Sequence, residues 1–183
     1  MSLFETERLI VRQLSRQDLP ALTGLLGDPE VMKYSVRGAC DENAVRRFID
    51  WTLNCYASRG VGPWALLEKG SNDFVGFCGL AMEMIDGIEE INLGYRLAKR
   101  YWNRGLASEA ARAALEYVFD RREVASVVVV IDPEHTASLK VAEKLGFQNF
   151  HETDFHGRPV RLYRMTHGQW HESRQRTIRA ASS

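Results

Sequence analysis

Apolar residues recur at steps of three and four through Ala107, Ala110, Ala111, Ala114, Leu115, Val118 and Phe119, which predicts a helix with one buried face. A second stripe, Val45, Phe48, Ile49, Thr52, Leu53 and Tyr56, predicts another helix, capped by Asp41. Elsewhere the period falls to two or the apolar run is unbroken. Residues 127–131 are all β-branched, as in a buried strand. Leu9 and Val11 alternate with Arg8 and Arg12 in a first strand over 8–14, and a helix follows to about Leu26. Its cap is Ser15 or Asp18; Pro20 is easier to place in a first turn if Asp18 caps. Residues 64–68 and 74–80 read as a hairpin around Lys69-Gly70-Ser71-Asn72-Asp73, and 89–97 as the next strand. A short helix then ends at Leu145 with Gly146 as its C′ residue, and 147–153 and 160–166 read as the last two strands.

The chain has 183 residues, enough for one domain with a sizeable core, taken here as residues 1–170. From His171 onward the sequence is polar and basic, and 171–183 reads as a frayed tail. Lys plus Arg equals Asp plus Glu, 24 each, so charge makes no case for nucleic acid or an anionic membrane as partner. No apolar run approaches the ~20 residues of a membrane helix, and the first residues carry no signal-peptide pattern. Cys40, Cys55 and Cys78 are odd in number and scattered, against a disulfide frame or a zinc site. A reducing cytoplasm and a monomer or homodimer are the expectations.

The chemistry gathers around Tyr101-Trp102-Asn103-Arg104-Gly105-Leu106-Ala107-Ser108, a glycine turn between a strand and a helix. A helix start carries unpaired N–H groups and a positive dipole end, so it attracts anions. Gly105 has no Cβ to hold a phosphate away from its backbone, and Arg104 adds a charged donor. The turn is neither a P-loop nor a three-glycine dinucleotide fingerprint. Further on, the 127–131 strand leads to Asp132-Pro133-Glu134-His135-Thr136-Ala137-Ser138 and the short helix.

These two stretches, in this order, resemble the core motifs of the GNAT N-acetyltransferases, and most closely the branch named for RimJ and RimL, over residues 6–170. The resemblance implies a single α/β (α+β) domain. Its central mixed, mostly antiparallel sheet of about seven strands would be splayed between the fourth and fifth and flanked by about four helices. It implies acetyl-CoA as co-substrate. Pantetheine would pair with the strand edge at Leu93, Tyr95, Arg96 and Leu97, where backbone donors near Leu93 and Tyr95 polarise the thioester carbonyl. The diphosphate would rest on Arg104, Gly105, Leu106, Ala107 and Ser108, with Trp102 and Asn103 beside it. An amine must attack as the free base, so a carboxylate acting through water is expected: Glu90 first, Glu89 second, since neighbours on a strand face opposite ways. Ser138 is the expected hydrogen-bond partner on the thiol side, or else a helix cap.

This chain departs from the family pattern at three points. The tyrosine that many members place four residues before the Gly-Phe pair is Ala142. His135 stands where relatives have asparagine; it could keep a cofactor contact, join the acid–base chemistry or face solvent. Trp102 replaces a Gln or Arg. The acceptor site would come from about 34–51 and 150–160. The acceptor would be a protein or peptide N-terminus; a small amine (polyamine, aminoglycoside or amino acid conjugate) is the alternative, and a non-catalytic acyl-CoA sensor is a reading of another class.

Other residues carry less. His151 and His156 are an odd number apart and would face opposite ways, so no metal pair is expected. His167 and His171 have helical spacing without a third ligand, and Cys40 and Cys55 lack a base beside them. Trp51 and Tyr56 read as core, with lining of the acceptor site as the alternative.

Overall fold

The computed structural model describes all 183 residues. Eight strands form one sheet: β1 (Phe4–Glu5), β2 (Leu9–Gln13), β3 (Pro63–Glu68), β4 (Phe74–Ile85), β5 (Ile88–Leu97), β6 (Ser126–Ile131), β7 (Phe150–Phe155) and β8 (Arg158–Thr166). Five helices accompany them: α1 (Leu19–Leu26), α2 (Glu42–Arg59), α3 (Leu106–Arg121), α4 (Thr136–Leu145) and α5 (His167–Ala181). The strand order is β1-β2-β3-β4-β5-β6-β8-β7. β5 and β6 run parallel with Asn92 opposite Val128, whereas β1–β2, β2–β3, β3–β4, β6–β8 and β7–β8 are antiparallel. The mixed, mostly antiparallel α/β architecture is the expected one. It has one more strand and one more helix than the pattern predicted, because β1 is only two residues long and α5 shows no continuous apolar stripe.

The chain divides into two compact units, residues 1–81 with 94–113, and 82–93 with 114–183. In the first, alternation in β2 buries Leu9 and Val11, and α1 and α2 cover a core that includes Leu22, Leu26, Val45, Ile49 and Phe77. Asp41 caps α2 as expected, its side chain accepting from the Ala44 amide at 2.8 Å. Of the two proposed caps before α1, Ser15 acts, capping a short 3-10 turn over Arg16–Asp18. Asp18 stands at the start of α1 without a capping side-chain hydrogen bond, because its carboxylate turns back to Ser15 and Arg12, and Pro20 lies in the first turn. Gly76 lies where β4 meets the end of β5: a Cβ there would stand 2.0 Å from the Arg96 carbonyl oxygen, so only glycine permits the approach.

Asp18 is nearly buried and holds Arg12 through two hydrogen bonds of 2.8 and 2.9 Å while accepting from the Ser15 amide. Burial opposes its ionisation, but the Arg12 and Ser15 hydrogen bonds outweigh burial and hold the carboxyl below its usual range. The stability it contributes is present above the unfolded carboxyl value of ~3.9 and is lost as pH falls through the folded one. Asp18→Asn should therefore cost about 2 kcal/mol near neutrality, since Arg12 loses its counter-ion but stays partly solvated. In urea titrations the gap between wild type and variant should close as pH drops below ~4. A gap that stays constant with pH would assign the effect to packing instead.

In the second unit, β6 is buried along most of its length and pairs with β8 from Ser126↔Thr166 to Ile131↔Arg161. Gly146 ends α4 in the left-handed conformation, as predicted. The strand after it begins at Phe150 rather than Phe147, because Phe147 turns into the core at 3% exposure. Residues 167–181 form helix α5, which takes in most of the segment 171–183 read as a frayed tail. Thr166 and Gln169 form a reciprocal capping box at its start. Trp170 is fully buried, stacked on Phe119 at 5.7 Å between ring centroids. One buried tryptophan is too sparse an apolar signal to show as a stripe in a segment otherwise polar.

Candidate functional site

The glycine turn is built as the sequence implies. Gly105 has φ +75 and Asn103 φ +59, both left-handed, so the chain reverses sharply into α3. The Glu109 amide donates to the Gly105 carbonyl at 3.1 Å, the first bond of the helix. Helix geometry then leaves the Leu106, Ala107 and Ser108 amides without an intrahelical acceptor. Two guanidiniums border this turn. Arg104, expected to reach a phosphate, is paired with Glu68 at 2.7 Å and stacked over Tyr101. Arg8 was not anticipated: its Nη1 donates to the Arg104 carbonyl at 2.8 Å, and its Nη2 would lie 3.5 Å from a Cβ on Gly105.

Glu109, in the first turn of α3, ties this arrangement to β2. It accepts from Thr6 Oγ1 at 2.6 Å, from the Arg8 amide at 2.8 Å and from Arg8 Nε at 2.7 Å. Burial works against the charge, but the Thr6 and Arg8 hydrogen bonds prevail and hold its carboxyl below the usual range. The guanidinium thus offsets the one carboxylate in the first turn, and the turn fits an anionic group such as a diphosphate. Trp102 is partly exposed and donates from Nε1 to the Leu97 carbonyl at 2.8 Å, closing the turn against the end of β5. Leu97 is buried, whereas Tyr95 and Arg96 are half-buried.

The second unit holds the residues expected to act on the amine and the thiol. Glu90 is buried on β5 and ion-paired with Arg164 of β8; Glu89 beside it is exposed. Two residues on, the Asn92 Oδ1 is buried without a hydrogen-bond partner, and Leu93 is buried. Ser138 is buried in the first turn of α4, two residues inside its start, so it is not the cap. His135 occupies the cap position without a capping hydrogen bond from its side chain. Asp132 shapes the preceding turn, accepting from the Glu134 amide at 2.9 Å and pairing with Arg158 at 3.3 Å. Arg164 and Asn92 were missed in the sequence, since an isolated arginine on a predicted strand gives no hint of its partner.

The remaining residues fall outside these two groups. The rings of His167 and His171 approach to 3.2 Å between their Nε2 atoms. They border a cleft of about 510 Å³ with Asp120 and Glu123, a cleft that contains none of the expected site residues. His151 meets Asp86 at 3.4 Å. Tyr56 serves the core: its hydroxyl donates to the Pro63 carbonyl and accepts from the Leu14 amide. Trp51, read as core, is 40% exposed, because it lies beyond the buried face of Val45, Ile49 and Thr52.

Residues 8–148 match the acetyltransferase (GNAT) domain, and the chain belongs to this family. It is 34% identical to protein YkkB of Bacillus subtilis (strain 168) over 159 residues, 86% of this chain and 92% of that one. A GNAT-family acetyltransferase from Bacillus anthracis superposes with a TM-score of 0.76 at 26% identity, covering 90% and 98% of the two chains. The fold extends equally to RimL, the ribosomal L7/L12 α-N-protein acetyltransferase (TM-score 0.73, 16% identity, 91% and 98% covered), and to spermidine N-acetyltransferase of Vibrio cholerae (0.71, 14%, 88% and 97%). Both of those structures contain coenzyme A. The RimJ/RimL branch is therefore not singled out. The chain is a GNAT acetyl-CoA:amine N-acetyltransferase.

Proposed function

We propose that this enzyme acetylates the α-amine of a protein or peptide N-terminus, and that the amine attacks acetyl-CoA directly in a ternary complex. The observation that carries the cofactor half is the left-handed Gly105 turn opening α3, with Arg8 and Arg104 at its mouth. In this reading the Leu106, Ala107 and Ser108 amides hold the diphosphate, with Trp102, Asn103 and Arg104 around it. The Leu93, Tyr95, Arg96 and Leu97 backbone serves pantetheine, and His135 contributes a further contact. Bound acetyl-CoA supplies an activated thioester carbonyl. Glu90 takes the proton from the attacking amine through water, and Ser138 hydrogen-bonds the departing sulfur. RimL and spermidine N-acetyltransferase, both of this fold, act by name on a protein α-amine and on a polyamine, so a small amine is the competing acceptor class.

Thiol release from acetyl-CoA, measured against peptides with varied N-termini, polyamines, aminoglycosides and amino acid conjugates, tests the reading. Turnover on peptides above all other classes is expected. Turnover confined to small amines would replace the acceptor, and acetyl-CoA binding without turnover on any of them would favour a sensor. In the same assay Ser138→Ala should lower kcat about tenfold with little change in acetyl-CoA affinity, as for loss of one hydrogen bond made late in the reaction. Full activity would leave Ser138 a packing role in α4.

A further inference from the structure

We infer that Arg96 recognises a carboxylate on the acceptor, so that the amine this enzyme acetylates is an acidic one: a free amino acid, or a peptide whose first residues are acidic. The inference rests on the acetyl-transfer step of that reading; it restricts peptide acceptors to acidic ones and adds free amino acids beside them. Arg96 lies near the end of β5, half-buried, and its one hydrogen bond is a long one, from Nη1 to the Val31 carbonyl at 3.4 Å. No carboxylate pairs with it. The other guanidinium on the sheet of this unit, Arg12, is matched with Asp18 at 2.8 Å, and Arg8 just before β2 with Glu109 at 2.7 Å. Withdrawing a guanidinium from water without a counter-charge is costly, and an anionic ligand would offset that cost. Burial pulls the proton affinity of Arg96 below that of a free guanidinium.

Two features say which anion. Val31 and Cys40 belong to the segment between α1 and α2, so Arg96 faces that segment, whereas Arg8 and Arg104 attend the Gly105 turn. The phosphates of the cofactor already have donors at that turn. Beside Arg96, two residues back along the same strand face, is Gly94, where a Cβ would find nothing within 4 Å. An unmatched guanidinium suits a planar carboxylate, which arginine grips with two parallel N–H donors, and Gly94 adds no side chain on that face to compete for it.

The test compares wild type with Arg96→Met and Arg96→Lys. Thiol release is measured with free amino acids, with their primary amides, and with dipeptides bearing acidic or neutral first residues. Wild type should prefer the carboxylate-bearing member of each pair by about 100-fold in kcat/KM, mostly through KM. The preference should vanish in Arg96→Met and return in part in Arg96→Lys. Whichever carboxylate source shows the preference identifies the acceptor. A second readout does not depend on turnover: N-acetyl amino acids, the products expected, should raise the Tm of wild type in the presence of CoA and leave Arg96→Met unmoved. Equal turnover on acids and amides, or acetyl-CoA binding weakened in Arg96→Met with acceptor preference retained, overturns the inference. So does a fall in Tm of more than about 5 °C in unliganded Arg96→Met, which would make the guanidinium a structural group. If no amine is turned over, the acetyl-transfer reading fails on its own, and the thermal shifts still decide whether Arg96 binds carboxylates.

Discussion

Gly105→Asp should abolish measurable acetyl-CoA binding, weakening it at least about 100-fold by calorimetry while the fold survives. Space is not the reason. A Cβ at this position would meet only Arg8 Nη2, at 3.5 Å, an ordinary contact. Conformation contributes some of the effect, because φ is +75 and an aspartate there costs about 1 kcal/mol of backbone strain. Charge contributes most. A carboxylate at the mouth of α3 would draw on the Leu106, Ala107 and Ser108 amides itself, as aspartate does at helix starts, and would compete with the diphosphate for them and for Arg8. Gly105→Ala separates the two effects, since it carries the strain without the charge. It should lose some stability and keep most of its affinity. If Gly105→Asp binds acetyl-CoA as wild type does, the turn is a structural reversal and the cofactor site lies elsewhere.

The Gly105 turn was legible because it is local: a strand, a glycine and an amphipathic helix are all patterns within some twenty residues of one another. Arg8 was not legible, although it is as close to the turn as Arg104. Its partner Glu109 is 101 residues away in the chain, and nothing in the alternation of β2 says which helix end it will face. The same holds for Arg164 and Glu90, 74 residues apart. The core followed the apolar stripes closely, with Ala110, Ala111, Ala114, Leu115, Val118 and Phe119 all buried as α3 predicted. Helix α5 escaped because its one buried side chain is Trp170, and its capping box resembles an ordinary polar turn until Thr166 and Gln169 are seen to bond each other. Sequence patterns thus report periodic burial and local turns; ion pairs between distant elements are set by the packing of those elements and appear only in the folded chain.

Glu90→Gln should lower kcat about 100-fold at pH 7, and the loss should shrink as pH rises past that of the acceptor amine, ~8 for an α-amino group. The sign follows from the task. Below its own pKa the amine is an ammonium and must lose a proton before it attacks; above it the free base is already abundant and a protein base adds little. A purely structural carboxylate would give a loss independent of pH. The Arg164 pair makes the alternative concrete, since Glu90 is buried and the guanidinium holds one of its oxygens. Arg164→Gln distinguishes the two roles. Removing the guanidinium takes away the partner that holds the carboxylate, so a catalytic Glu90 would lose its placement and kcat should fall while acetyl-CoA affinity holds. If Glu90 serves only to anchor β8 to β5, both substitutions should instead lower Tm by similar amounts and leave kcat well below Tm unchanged. A pH-independent loss in Glu90→Gln, with kcat unmoved in Arg164→Gln, would transfer the base to another group. Glu89 could then be tested the same way: it is exposed on the opposite face of the strand, and its substitution should have little effect while Glu90 is intact.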